Sequence, residues 1–268
     1  MTRIVLGIEY DGSLFSGWQF QNDQRTIQAE LEQALSKVAN QKVTVHCAGR
    51  TDSGVHALEQ VVHFDTDVNR NMHSWIMGGN ANLADDVRII WGRLAVDGFH
   101  ARFSAIARFY RYVILNRKMK SALLRTQATW CYNPLDEKKM HVAAQSLIGE
   151  HDFSSFRAQG CQSYSPNRLM HFINVYREQD KVIIDLSANA FLHHMVRNIA
   201  GVLMEIGMGK QPVEWAGDLL EIKDRSQGGV TAPPYGLFLG GVYYPEQYGI
   251  NKHPIFNLLA ADVCRFEH

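Results

Sequence analysis

The chain lacks most of the features that give a function away cheaply. Its 268 residues hold four cysteines, Cys47, Cys131, Cys161 and Cys264, and no Cys-x-x-Cys pair. Neither a disulfide framework nor a thiolate zinc site is indicated, and reduced thiols in the cytoplasm are the expectation. No stretch approaches the ~20 apolar residues of a membrane span, and the apolar run at 4–8 is too short for a signal peptide, so no membrane partner is expected. There is no P-loop and no Gly-x-Gly-x-x-Gly opening a helix. Gly207-Met208-Gly209-Lys210 closes a helical pattern where a phosphate cradle must begin one, so no nucleotide cofactor is expected. His46, His56 and His63 lie near Cys47 without a recognised ligand spacing, and His193 and His194, read as helical neighbours, diverge by about 100°, so no metal is expected either. A single Asp-Ser-Gly triplet occurs, at Asp52, whereas an aspartic protease needs two carboxylates sharing one proton. Even net charge is missing, with 27 basic residues against 27 acidic.

That zero hides segregation. Residues 1–97 carry 8 basic and 12 acidic side chains, while residues 98–135 carry Arg102, Arg108, Arg111, Arg117, Lys118, Lys120 and Arg125 and no acid at all. A second acid-free stretch, 153–177, holds Arg157, Arg168 and Arg177. Bunched positive charge of this kind is what a phosphate backbone attracts; the alternative is a face whose partners come from elsewhere in the fold.

Hydrophobic periods of two and of 3.6 residues alternate along the chain. Strands are expected over 3–10, 43–48, 60–64 and 87–95, with helices over 26–39 and 72–83: the order β-α-β-β-α-β. The second half repeats the plan, with strands over 107–115, 172–178 and 182–187 and helices over 136–148, 192–208 and 212–222. The fold class expected is therefore α/β (α+β), two ferredoxin-like halves with antiparallel sheets. They are placed at residues 1–103 and 104–247, with a C-terminal extension over 248–268.

The most informative short segment is Ala48-Gly-Arg-Thr-Asp52-Ser-Gly-Val-His-Ala57. Glycines bracket Arg50–Ser53, and glycine permits positive φ and close backbone approach, so Asp52 sits on a sharp loop between strands. A carboxylate presented this way serves as base, nucleophile or ligand; the bland alternative is an Asp that caps a turn.

This segment, together with Asp11-Gly-Ser-Leu-Phe-Ser-Gly-Trp-Gln, Phe103-Ser-Ala-Ile-Ala-Arg-Phe-Tyr110-Arg-Tyr, Phe191-Leu-His-His-Met-Val-Arg197-Asn-Ile and Ala232-Pro-Pro-Tyr-Gly-Leu237, resembles the tRNA pseudouridine synthase A family. The resemblance spans residues 3–245, with these five separated motifs in register. The resemblance implies an isomerase that turns uridine into pseudouridine in the anticodon stem-loop of tRNA, as a homodimer with no cofactor. It implies Asp52 as the catalytic aspartate, Tyr110 as the aromatic that stacks on the target base, Arg197 as the basic partner of the aspartate, and Leu237 as a leucine beneath the pocket.

The residue types suit that chemistry. A base inside a stem must be flipped out at a cost of a few kcal/mol and then needs a flat apolar face; by composition Phe109 and Tyr112 offer one as well as Tyr110 does. Arg102, Arg108, Arg111 and Arg50 are expected to hold phosphates in a central basic cleft, and His56 to contact substrate. Arg197 would oppose the rise in carboxylate pKa that burial brings.

Overall fold

The computed structural model describes residues 1–250. They form ten strands and five α-helices, a mixed α/β chain in two compact units: Met1–Ile106 together with the chain from Leu239, and Ala107–Phe238. The expected division left 239–247 with the second half. In the structure this stretch groups with the first unit, where Tyr244 Oη donates to Ala101 O (2.6 Å) and Ile106 N to Tyr243 O (2.8 Å). Of the expected extension 248–268, residues 251–268 lie outside the described residues. No helix among the described residues is long and apolar enough to cross a membrane.

The first unit runs β1 (Thr2–Tyr10), α1 (Ile27–Ala39), β2 (His46–Cys47), β3 (His56–Thr66), α2 (Met72–Asn82), β4 (Val87–Leu94), which is the expected ferredoxin-like order. β3 and β4 flank β1 in antiparallel register, and β2 pairs with β3. Ile4, Leu6 and Ile8 share one face of β1 and are buried. α1 forms because Ile27, Leu31 and Leu35 recur at helical spacing behind Thr26, whose side chain caps Ala29 N (3.4 Å), with Glu30 favourably placed in the first turn. The strand expected over 43–48 shrinks to two residues, although Val43 and Val45 are indeed buried. Their N–H groups are taken instead by α1: Val43 N donates to Ser36 Oγ (2.9 Å) and Val45 N to Glu32 Oε1 (3.0 Å). Alternation is satisfied without a strand neighbour.

The other face of β3 carries His63, 1% exposed, whose Nδ1 accepts from Ala101 N (3.1 Å) and whose ring packs against His100 (4.5 Å) and His46 (5.0 Å). Burial, with His100, Arg3 and His46 nearby, pushes its pKa down to about 3, against the partial opposition of Asp65. The ring is neutral when folded and takes up a proton on unfolding below pH 6.5, so its contribution to stability is lost as pH falls from 6.5 towards 3. Replacing His63 by Gln keeps an acceptor and should flatten the loss between about pH 6 and pH 4 by up to about 1.4 kcal/mol per pH unit. Urea unfolding at several pH values reads this; parallel curves for variant and wild type would refute it.

The second unit runs β5 (Ala107–Asn116), β6 (Thr129–Cys131), α3 (Glu137–Gln145), β7 (Gly149–Asp152), β8 (Asn167–Glu178), β9 (Lys181–Ala188), α4 (Met195–Gly207), α5 (Trp215–Ile222) and reaches β10 (Leu237–Tyr243), the strand in which the chain returns to the first unit. β5, β9, β8 and β7 pair antiparallel in that order, and β6 adds in parallel to β5. α4 buries Met195, Val196, Ile199, Val202, Leu203 and Ile206, and ends with Gly209 at φ +71° just beyond its C-cap, as its place in the sequence leads one to expect. It starts three residues later than expected because His194 takes a left-handed conformation, φ 59°, at the N-cap.

Candidate active site

Asp52 lies half-buried between β2 and β3, and both its neighbours are tied to the end of β1 and the segment that follows it. Tyr10 Oη and Thr51 Oγ1 share a hydrogen bond (2.7 Å), Trp18 N donates to Thr51 O (3.0 Å), and Ser53 Oγ donates to Phe15 O (3.0 Å). Val55 N closes the turn on Asp52 O (3.2 Å), with Gly54 at φ +79°. The glycines of Asp11-Gly-Ser-Leu-Phe-Ser-Gly-Trp now have a reason. A Cβ on Gly12 would sit 1.9 Å from Val55 O, and one on Gly17, at φ +89°, 2.9 Å from Thr51 O. The first motif is a backbone cradle for the second.

So close an approach has a measurable consequence. Gly12→Ala must push Val55 and the turn away, and displacement of this order is expected to lower turnover by about 100-fold. Gly49→Ala meets nothing within 4 Å and is not at positive φ, so it should leave the thermal midpoint unchanged. Equal turnover in Gly12→Ala and wild type would show that the cradle does not position the loop. Of the two bracketing glycines, Gly54 takes positive φ and Gly49 does not.

A second pair of motifs docks in the second unit around Arg197. Its Nε donates to Ala232 O (2.9 Å) while Ala232 N donates to Arg197 O (3.1 Å). A Cβ on Gly201, one helical turn on, would lie 1.9 Å from Val230 O, so α4 and this segment meet at backbone distance. Tyr112 Oη donates to Pro233 O (2.8 Å), Thr129 Oγ1 bonds Tyr235 O, and Gly236, at φ +85°, leaves 2.3 Å between its would-be Cβ and Val113 O. Leu237, which begins β10, is buried and its N donates to Pro234 O (3.0 Å).

β5 separates the aromatic candidates. Tyr112 is fully buried with its hydroxyl held by Thr129 and Pro233, and burial pushes that hydroxyl's pKa up. Phe109 turns to the opposite side of the pleat from Tyr110 and Tyr112, towards Phe172 (6.1 Å). Tyr110, 8% exposed, meets Phe191 edge-on at 5.0 Å, with Phe191 on the segment leading into α4. Of the three, Tyr110 is the one set beside an aromatic of the Phe191–Ile199 motif.

The expected phosphate contacts divide. Arg50 and Arg102 are exposed, the latter over the ring of Phe103, and Arg108 Nη1 donates to Asn189 O (2.7 Å). Arg111 needs correction: it faces Asp185 across the β5–β9 ladder and forks onto it at 2.7 and 2.6 Å, so its charge is spent inside the unit. Arg117 likewise pairs with Asp180 (3.0 Å). For these two the partners do come from elsewhere in the fold. His56, expected to contact substrate, is 2% exposed, and its Nδ1 lies 3.0 Å from Asp11 Oδ1 and 3.2 Å from Gly12 N. It locks the cradle to the loop. His193 and His194 do not diverge as helical neighbours would, because both precede α4 and their rings lie 4.0 Å apart.

Composition singles out neither Tyr10 nor Gln60. Gln60, on β3, grips the peptide of Gly49 with its side-chain amide: Nε2 donates to Gly49 O (2.5 Å) and Oε1 accepts from Gly49 N (3.3 Å). Such partners are main-chain atoms and leave no pattern in the residue types.

A sequence model of the family described as tRNA pseudouridine synthase matches residues 7–103 and 143–245. The chain is 60% identical over 265 residues to tRNA pseudouridine synthase A of Methylococcus capsulatus, covering 99% of this chain and 98% of the relative. It is 58% identical over 250 residues to the protein of that name from Nitrosococcus oceani, covering 93% and 96%, and 53% identical over 255 residues to that from Coxiella burnetii, covering 95% and 98%. The chain belongs to the tRNA pseudouridine synthase family.

Proposed function

We propose that this protein isomerises uridine to pseudouridine in the anticodon stem-loop of tRNA, with Asp52 as the catalytic residue. The N1–C1′ bond of the nucleoside breaks, the uracil turns, and a C5–C1′ bond forms; the proton on C5 leaves and N1 gains one. Nothing is oxidised and no group is supplied from outside, so the reaction requires no cofactor. Asp52 acts on the ribose, either by attack at the anomeric carbon or by removal of a ribose proton. Tyr110 gives the extruded base an apolar face, Arg197 keeps the aspartate anionic, and Leu237 packs beneath. Arg50, Arg102 and Arg108 hold phosphates. Two copies of the chain form the working homodimer.

The observation that carries this reading is the anchoring of a carboxylate loop on both flanks, in a chain whose relatives of 53–60% identity bear the name of one activity. A loop fixed that tightly presents its side chain for positioning rather than for a turn cap. The test is tritium release from C5 of uracil in an unmodified tRNA transcript, with purified protein and neither nucleotide nor metal added. Release of one tritium per modified site is expected. Tight tRNA binding without release, where a reference synthase works, would make the chain an RNA-binding module instead.

A further inference from the structure

We infer that Gln60 is the positioning residue that sets the entry of the Asp52 loop; the inference rests on the functional reading above. The β2–β3 ladder pairs His46 with His63 and Cys47 with Val62, and it continues with Ala48 N donating to Val61 O (2.8 Å). There the chain leaves the sheet. The next peptide, at Gly49, finds no strand neighbour and is held by the Gln60 side chain, which is 0% exposed. Further along, Thr51 just before Asp52 is held by Tyr10 and Trp18, and Ser53 just after it by Phe15. At the point where the loop departs from the ladder, both main-chain groups of Gly49 are taken by this amide.

The chemistry of the grip is specific. Gly49 offers one N–H and one C=O, and a side chain must present an acceptor and a donor side by side to meet both. Glutamine does. A glutamate carboxylate meets the N–H but turns an anionic oxygen on the carbonyl, whereas a protonated glutamic acid again supplies both halves. Methionine has the shape and neither bond. The Gln60 side chain is 0% exposed, so burial raises the pKa of a carboxyl placed there above the ordinary carboxylate range.

The test uses the full-length protein with Q60E and Q60M, measuring single-turnover tritium release at saturating tRNA, the dissociation constant for tRNA, and the thermal midpoint. At about pH 8 both variants should lose about 10- to 100-fold in rate, the scale of a small displacement of a reacting group, with tRNA affinity within about threefold of wild type. The rate of Q60E relative to wild type should recover as pH is lowered from about 8 to about 6, where a buried carboxyl regains its proton, while that of Q60M stays flat. This recovery is measured within a single folded variant and holds even if Q60M fails to fold. Rates within about threefold of wild type, rate and affinity falling in step, or a Q60E ratio that does not change with pH would each overturn the assignment. A wild-type protein that releases no tritium overturns the functional reading, and the positioning role with it.

Discussion

Replacing Asp52 by Ala is expected to lower single-turnover release by about 10⁴-fold or more, the scale seen when an essential nucleophile or base is lost, while tRNA affinity changes by no more than about threefold. The two halves of that expectation have different causes. Binding of tRNA is expected to be dominated by phosphate contacts, which an anionic Asp52 would oppose rather than supply. In the proposed reaction the rate depends on one carboxylate at the ribose. The bonds of the loop through Thr51, Ser53 and the Asp52 carbonyl are kept in this variant, and the thermal midpoint checks that the fold survives. Asp52→Asn keeps the shape and removes the charge, and should be as inactive as Ala. Residual activity above about 1% in Asp52→Asn would mean that the carboxylate is not essential. A parallel collapse of affinity would make it a binding residue.

How much of this is legible in the residues depends on where each partner lies in the chain. α1 can be read because Ile27, Leu31 and Leu35 keep a helical period behind a Thr26 cap, all within one segment. The Asp52 loop can be read because Gly54 and the polar run sit between two apolar stretches. The alternation over 43–48 overstates a strand because Val43 and Val45 report burial, and their backbone partners here are α1 side chains rather than a strand. β10 escapes such a reading because Leu-Phe-Leu-Gly-Gly-Val-Tyr carries two glycines, a residue depleted in strands, and follows a Pro-Pro turn. The cradle around Asp52 is invisible in composition for a deeper reason. Gly12 and Gly17 matter through the backbone atoms they let in, and no periodicity records those. The motifs that carry the family resemblance turn out to be the places where two backbones meet.

The basic run at 98–135 overstates the RNA-facing charge for a related reason, and Arg111 shows how to measure it. Its partner Asp185 is 74 residues away in sequence and 0% exposed, with Tyr176 Oη donating to Asp185 Oδ2 (3.0 Å) as a third member. Arg111→Met leaves that carboxylate buried beside one hydroxyl, which should cost about 3–5 kcal/mol and lower the thermal midpoint by about 10 °C. Adding Asp185→Leu to Arg111→Met should restore much of that stability, since the apolar pair leaves no buried charge behind. Arg102→Gln with Arg108→Gln should do the opposite: the midpoint stays within about 2 °C, while tRNA affinity drops and the slope of log affinity against log salt flattens by about 0.7–0.9 for each phosphate no longer neutralised. If Arg111→Met instead melted like wild type and flattened the salt slope, Arg111 would hold a phosphate after all and the Asp185 fork would be incidental. The two sets of variants thus separate charge that holds the fold from charge that holds RNA, a distinction that a count of arginines cannot make.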